Sequence, residues 1–135
     1  MEFEVNPNDT EIEFIKKSLQ EYNDQIVGSD NHLMLNIVIK NDKKEIIGGL
    51  IGGTYWGWLY IDRFWISENY RRQGIGKKIL KMAENEARIR GCKSVHLDTM
   101  SFQAVEFYKK QGYQTKCEYK DLPKGYSKFT LMKEL

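Results

Sequence analysis

Seven consecutive residues, Arg71-Arg72-Gln73-Gly74-Ile75-Gly76-Lys77, carry the densest chemical signal in the chain. They stand between a β-branched, aromatic run and a segment with helical periodicity. The first turn of a helix leaves backbone N–H groups without intrahelical partners, and the helix dipole favours negative charge there. Glycine at 74 and 76 removes side chains that would hold an anion away from those groups. Arg71, Arg72, Lys77 and Lys78 add positive charge. The segment therefore predicts a cradle for phosphate, although alone it would read equally well as a charged turn. Two better-known phosphate loops fail on spacing. A Walker loop, G-x-x-x-x-G-K-S/T, would need glycine at 71 and Ser or Thr at 78, where Arg71 and Lys78 stand. A dinucleotide fingerprint would need glycine at 79, which is Ile79. What remains is R-x-x-G-x-G.

A second segment follows at a fixed distance: Ser101-Phe102-Gln103-Ala104-Val105-Glu106-Phe107-Tyr108-Lys109-Lys110-Gln111-Gly112-Tyr113. Together the two segments resemble the GNAT superfamily of N-acetyltransferases. That family's pyrophosphate loop is R/Q-x-x-G-x-G/A before a long helix, and its later motif is commonly N-x-x-A-x-x-F/L-Y-x-x-x-G-F/Y. With the segment joining them, the matches cover residues 58–113. The chain departs from the pattern at Ser101, where relatives usually carry asparagine; a serine there also suits a helix N-cap.

The resemblance implies acetyl-CoA as co-substrate, a small-molecule or peptide amine as acceptor, and direct attack in a ternary complex. It places the pyrophosphate on Arg71, Arg72, Gln73, Gly74, Ile75, Gly76 and Lys77. The pantetheine arm then lies along the strand ending Phe64-Trp65-Ile66 as an added strand, with Ser101 and Phe107 as further cofactor contacts. Tyr108 matches the family's proton or hydrogen-bond donor to the departing sulfur; its plainer reading is a core aromatic beside Phe107. Asp62 is the nearest analogue of the acid that serves some relatives as base, with Asp98 or a water-relayed route as alternatives. Such a reaction needs no enzyme nucleophile, and the sequence shows no Ser/His/Asp or Cys/His arrangement.

These residues need a scaffold. Residues 2–6 alternate like a short strand. Thr10 and Glu13 have capping-box spacing, and Ile12, Ile15, Leu19, Tyr22 and Ile26 form an amphipathic stripe closed by Gly28. Strands are predicted over 33–40, 45–55 and 58–66, with a turn at Asn41–Lys44. Gly74 to Arg90 is a helix, with Glu84–Arg88 and Glu86–Arg90 as outer-face pairs. A strand over 94–98, a helix over 101–111 and a closing hairpin (113–119, 126–132) complete the order. The glycine pairs 48–49 and 52–53 suggest close packing or a bulge rather than a phosphate loop. Trp56, Trp58 and Trp65 suggest sheet-face or core packing, and Lys109-Lys110 a solvated helix face. The expected fold is α/β: a GNAT-like, mostly antiparallel mixed sheet, one parallel pair (58–66 with 94–98) splayed at the cofactor slot, flanking helices, and one domain over 1–135.

Composition bounds the rest. The chain has 135 residues and net charge +2, which gives no general case for nucleic acid or an anionic membrane. Residues 1–70 nevertheless carry 6 basic and 12 acidic side chains, net −6, and residues 71–135 carry 15 and 7, net +8. No run approaches the roughly 18 apolar residues of a membrane span, and Met-Glu-Phe-Glu does not begin a signal peptide. Cys92 and Cys117 are expected as buried thiols, and with His32 and His96 they give no metal spacing. The reading is a cytoplasmic, metal-independent N-acetyltransferase, with strand edges or a shared hairpin suited to a homodimer. The alternative is a non-catalytic acyl-CoA-binding sensor or interaction domain.

Overall fold

A computed structural model describes all 135 residues, which group into two compact units, 1–31 and 32–135. In the first unit, α1 runs Asp9–Val27 and ends at Gly28, whose N–H donates to the Asp24 carbonyl at 2.9 Å. Its capping box is Asn8/Glu11, not Thr10/Glu13: the Glu11 N–H donates to Asn8 Oδ1 at 2.9 Å, and the Asn8 N–H to Glu11 Oε2 at 3.1 Å. The helix starts directly after Pro7-Asn8, so the cap falls two residues earlier. Residues 2–6 form no strand, because nothing pairs with them and Asn6 turns left-handed (φ 59°).

The second unit holds β1 (Leu33–Lys40), β2 (Ile46–Tyr55), β3 (Trp58–Ile66), α2 (Ile75–Ile89), β4 (Ser94–Met100), α3 (Val105–Lys110), β5 (Gln114–Lys120) and β6 (Ser127–Glu134). The sheet order is β1-β2-β3-β4-β6-β5, antiparallel throughout except for the parallel β3–β4 pair. That pair arises because α2 is a crossover connection between the two strands. Its register runs only from Trp58↔Ser94 to Ile61↔Leu97, although β3 continues to Ile66 and β4 to Met100. The strands therefore part at their C-terminal ends, as expected.

A bulge sits at the point of parting. Ile51 pairs with Arg63 and Gly52 with Ile61, which leaves Asp62 as the extra residue. A Cβ on Gly52 would collide with the Tyr60 carbonyl, so the glycine permits the close strand approach. On one sheet face Leu35, Leu50, Leu59, Ile61, Val95, Leu97 and Leu131 meet Ile79, Leu80, Ala83 and Ala87 of α2 and Tyr108 of α3. Each fully buried Leu or Ile contributes about 1.5–3 kcal/mol, which holds α2 against the strands.

Two expectations about the helices change. Glu84 does not pair with Arg88 on the outside; it is 3% exposed. The spacing explains why: 84 lies on the same stripe as 80 and 87, one turn from each. The Glu86–Arg90 pair does form, at 3.0 Å. The helix predicted over 101–111 is regular only from Val105 to Lys110, so Ser101 does not cap it. Its N-cap position is Ala104, with no side-chain bond. None of the three tryptophans is buried, and only Cys92 of the two thiols is fully so.

Candidate active site

The parting of β3 and β4 opens a cleft of about 1320 Å³ in the second unit. At one end lies the start of α2. Gly74 is its N-cap residue, in the left-handed region at φ 77°, and no side chain caps the helix. The first intrahelical bond at this end runs from the Lys78 N–H to the Gly74 carbonyl, 3.1 Å. The N–H groups of Ile75, Gly76 and Lys77 thus donate to nothing within the protein, the condition for an anion seat. Arg71 is fixed by its Nε donating to the Ile66 carbonyl at 2.9 Å, which ties the loop to the end of β3. Arg71, Arg72, Gly74, Gly76 and Lys77 all line the cleft.

Two residues of that segment do not line it. The Gln73 amide donates to the Asn69 carbonyl at 3.3 Å, and the Ile75 side chain packs against the core. Only the backbone of Ile75 is placed to serve an anion.

The walls are β3 and α3. Phe64, Trp65 and Ile66 line the cleft, and beyond Ile61 the β4-facing edge of β3 has no ladder partner. An open edge of this kind accepts an extended ligand by backbone hydrogen bonds. Phe64 and Phe107 stack across the opening, centroids 6.0 Å apart at 23°. A Cβ on Gly76 would touch the Phe107 ring at 3.5 Å, so the glycine stands directly against this aromatic wall.

Tyr108 lies deeper. Its ring meets Phe64 (6.4 Å), Phe107 (5.3 Å) and Tyr113 (5.6 Å), and the residue is 5% exposed. Burial pushes its pKa up to about 12, which keeps the phenol protonated. Its hydroxyl has no hydrogen-bond partner in the protein, and it is not sealed from solvent. Tyr113, five residues on, is the opposite case: its hydroxyl donates to Glu84 Oε2 at 3.0 Å. A core tyrosine satisfies its hydroxyl; Tyr108 instead leaves one available to the cleft.

The two candidate bases also separate. Asp98 accepts a hydrogen bond from the Thr130 hydroxyl at 2.7 Å, and its other oxygen sits 3.3 Å from Lys128 Nζ. Asp62, exposed in the bulge, lines the cleft with no hydrogen bond or ion pair. Ser101 lines it too, but its N–H donates to the Ser127 carbonyl (2.7 Å) and its Oγ accepts the Ser127 N–H (3.0 Å). The serine thereby clamps the end of β4 to the start of β6.

Gln103 and Phe129 also line the cleft, although nothing in their local sequence marks them for it. The Gln103 side chain accepts the Met100 N–H at 2.8 Å and shapes the turn at the cleft. Phe129 stands opposite Thr99 in the β4–β6 register. That placement follows from the strand order, which no local pattern encodes.

In sequence and in fold the chain is similar to known acetyltransferases. The model of the Acetyltransferase (GNAT) family matches residues 3–113. Acetyltransferase Atu2258 of Agrobacterium fabrum (strain C58 / ATCC 33970) is 42% identical over 99 residues, 73% of this chain and 72% of that protein. Blasticidin-S acetyltransferase of Streptomyces morookaense is 36% identical over 95 residues, 70% of each chain. The crystal structure of an acetyltransferase from Bacillus cereus ATCC 14579 superposes with a TM-score of 0.92 at 36% identity, over 100% of this chain and 99% of that one.

Proposed function

The chain belongs to the GNAT acetyltransferase family, and from that premise we propose that residues 1–135 act as one N-acetyltransferase domain moving acetyl from acetyl-CoA to an amine. The observation that carries the reading is the unpartnered Tyr108 hydroxyl, set where the open edge of β3 and the uncapped start of α2 share one cleft. The amide groups of Ile75, Gly76 and Lys77, with Arg71 and Arg72, hold the pyrophosphate. The free edge of β3 takes the pantetheine amides, and Phe64 and Phe107 flank the arm.

The amine nitrogen attacks the thioester carbonyl carbon, and the carbon–sulfur bond breaks as the new carbon–nitrogen bond forms. Tyr108 donates to the departing sulfur, and its raised pKa keeps that proton in place throughout the ordinary pH range. Asp62, whose oxygens are uncommitted, takes the proton lost by the amine. The acceptor is a small-molecule amine, a reading supported by the relative named for acetylating blasticidin S. The setting is cytoplasmic; no helix is long and apolar enough to cross a membrane.

The test is thiol release from acetyl-CoA over polyamines, amino acids, aminoglycosides, peptide N-termini and blasticidin S. Tyr108→Phe is then measured with the fastest amine. The variant should lose roughly 10- to 100-fold in kcat, below or at the low end of general acid catalysis because a thiolate leaves readily. Its acetyl-CoA KM and melting temperature should hold, since the lost hydroxyl bonds nothing in the protein. Full kcat in Tyr108→Phe refutes the donor role. Tight CoA binding with no turnover across the panel would favour an acyl-CoA sensor instead.

A further inference from the structure

The least expected group in the core is a carboxylate. Glu84 sits on the apolar stripe of α2, 3% exposed, beside Leu80, Ala83 and Ala87. Lys133 of β6 reaches it with Nζ at 2.9 and 3.1 Å, and the Tyr113 hydroxyl donates to it at 3.0 Å. The Lys133 ammonium also lies 5.5 Å from the centroid of the Tyr113 ring. Replacing a buried ion pair by apolar side chains of similar volume is often neutral or stabilising. Stability alone therefore does not account for a charge here. What the carboxylate supplies, and an apolar side chain would not, is a fixed acceptor for the Tyr113 hydroxyl.

That hydroxyl matters because of what the Tyr113 ring touches. It packs edge-on to Tyr108 at 5.6 Å, with an interplanar angle of 66°. Tyr108 has no hydrogen bond through its own hydroxyl, so only ring contacts and its short helix fix its direction. Phe64 and Phe107 belong to the cleft wall that the substrate arm itself would press on. Tyr113 is the one aromatic neighbour of Tyr108 that does not line the cleft.

We propose that Glu84 is a positioning residue for the acetyl transfer: through the Tyr113 hydroxyl it locks the ring behind Tyr108 and so fixes the line along which Tyr108 meets the departing sulfur. This rests on the donor role given to Tyr108 above. Neither Glu84 nor Tyr113 lines the cleft, so neither touches a substrate there.

The experiment is a double-mutant cycle with Tyr113→Phe and Tyr108→Phe, read as thiol release from acetyl-CoA with the fastest amine of the panel, or with water where none is faster. Tyr113→Phe keeps the ring and removes the bond to Glu84. It should lower kcat at least about threefold, within the coupling range of neighbouring residues, at unchanged KM for acetyl-CoA. In the Tyr108→Phe background it should do nothing further. Equal losses in both backgrounds, or a fall in melting temperature with kcat intact, overturn the proposal. A silent Tyr108→Phe overturns the donor role and this proposal together. An effective Tyr108→Phe with a silent Tyr113→Phe overturns this proposal alone.

Glu84 gives a second arm should Tyr113→Phe fold poorly. Glu84→Gln keeps an oxygen acceptor at the same reach and should retain kcat. Glu84→Met fills similar volume without an acceptor and should reproduce the Tyr113→Phe loss, again only when Tyr108 is present. Equal kcat in the two Glu84 variants refutes the positioning role.

Discussion

The two glycines at the head of α2 should respond to substitution in different ways, and the difference tests the anion cradle. At Gly74 a Cβ would meet nothing within 4 Å, but φ is 77°. An alanine there pays only for the left-handed backbone, roughly 1–2 kcal/mol. For a chain of this length that is a drop of about 4–7 °C in melting temperature. At Gly76 the backbone is ordinary and a Cβ would rest on Phe107 at 3.5 Å and on Phe64 at 3.8 Å, both normal contacts. Gly76→Ala should therefore leave the melting temperature where it is.

Gly76→Glu sharpens the separation between folding and binding. A carboxylate in the first turn of a helix is worth about 0.3–1 kcal/mol of stabilisation, so the variant should fold. The same carboxylate competes for the free N–H groups of residues 75–77 and repels the pyrophosphate. CoA affinity measured by calorimetry should fall at least about tenfold, which is about 1.4 kcal/mol. Added salt should narrow the gap, because the cradle faces solvent. A folded Gly76→Glu protein that binds CoA like the unaltered chain would refute the cradle and everything placed along the cleft from it.

Other expectations concern the carboxylates and one histidine. Asp62→Asn should lower kcat without changing the acetyl-CoA KM, whereas Asp98→Asn, which keeps an oxygen for the Thr130 hydroxyl and loses only the ion pair with Lys128, should shift melting slightly, through a part-exposed pair worth about 1 kcal/mol or less. A larger kcat loss in Asp98→Asn would reverse the assignment of the base. His96 accepts or donates one hydrogen bond with the Tyr55 hydroxyl at 3.2 Å, and burial holds its pKa below the usual value against the opposing pull of Asp98. The unfolded chain therefore takes up this proton first as pH falls below about 6.5, and stability is lost from there down through the lower folded value. Melting temperature between pH 7 and 5.5 should fall less in His96→Gln than in the unaltered protein; parallel curves would remove His96 as a cause.

What the sequence made legible is what its neighbours in sequence determine. The loop Arg71–Lys77 and the α3 segment are local patterns, and five of the seven loop residues do line the cleft. Gln73 and Ile75 fell outside because a pattern marks positions and does not say which side chains turn inward. Glu84 shows the harder limit. An i,i+4 charge pair with Arg88 looks like a surface feature, yet its partners Tyr113 and Lys133 lie 29 and 49 residues away. Ser101 likewise reads as a cap until Ser127 is brought beside it by the β4–β6 pairing. Local spacing identified the groups with chemical capacity, and tertiary pairing decided which of them were already committed.

That distinction orders the site better than residue type does. Tyr108 and Tyr113 belong to one short segment, touch each other and are almost equally buried, at 5% and 3% exposure. Burial alone would call both core residues. The hydroxyls divide them: Glu84 engages one, and nothing engages the other. The same holds for Asp62 and Asp98, two carboxylates on the splayed strands, where Thr130 and Lys128 engage the second. The bulge explains the first. By adding one residue to β3 opposite the Ile51–Gly52 step, it removes Asp62 from the β2–β3 register just past the last parallel pair, Ile61↔Leu97. One insertion thus sets a free carboxylate beside the opening of the cleft, so restoring regular pairing by deleting Asp62 would change the strand geometry as well as remove an acid. For that reason Asp62→Asn, which leaves the bulge in place, is the substitution that isolates its chemistry.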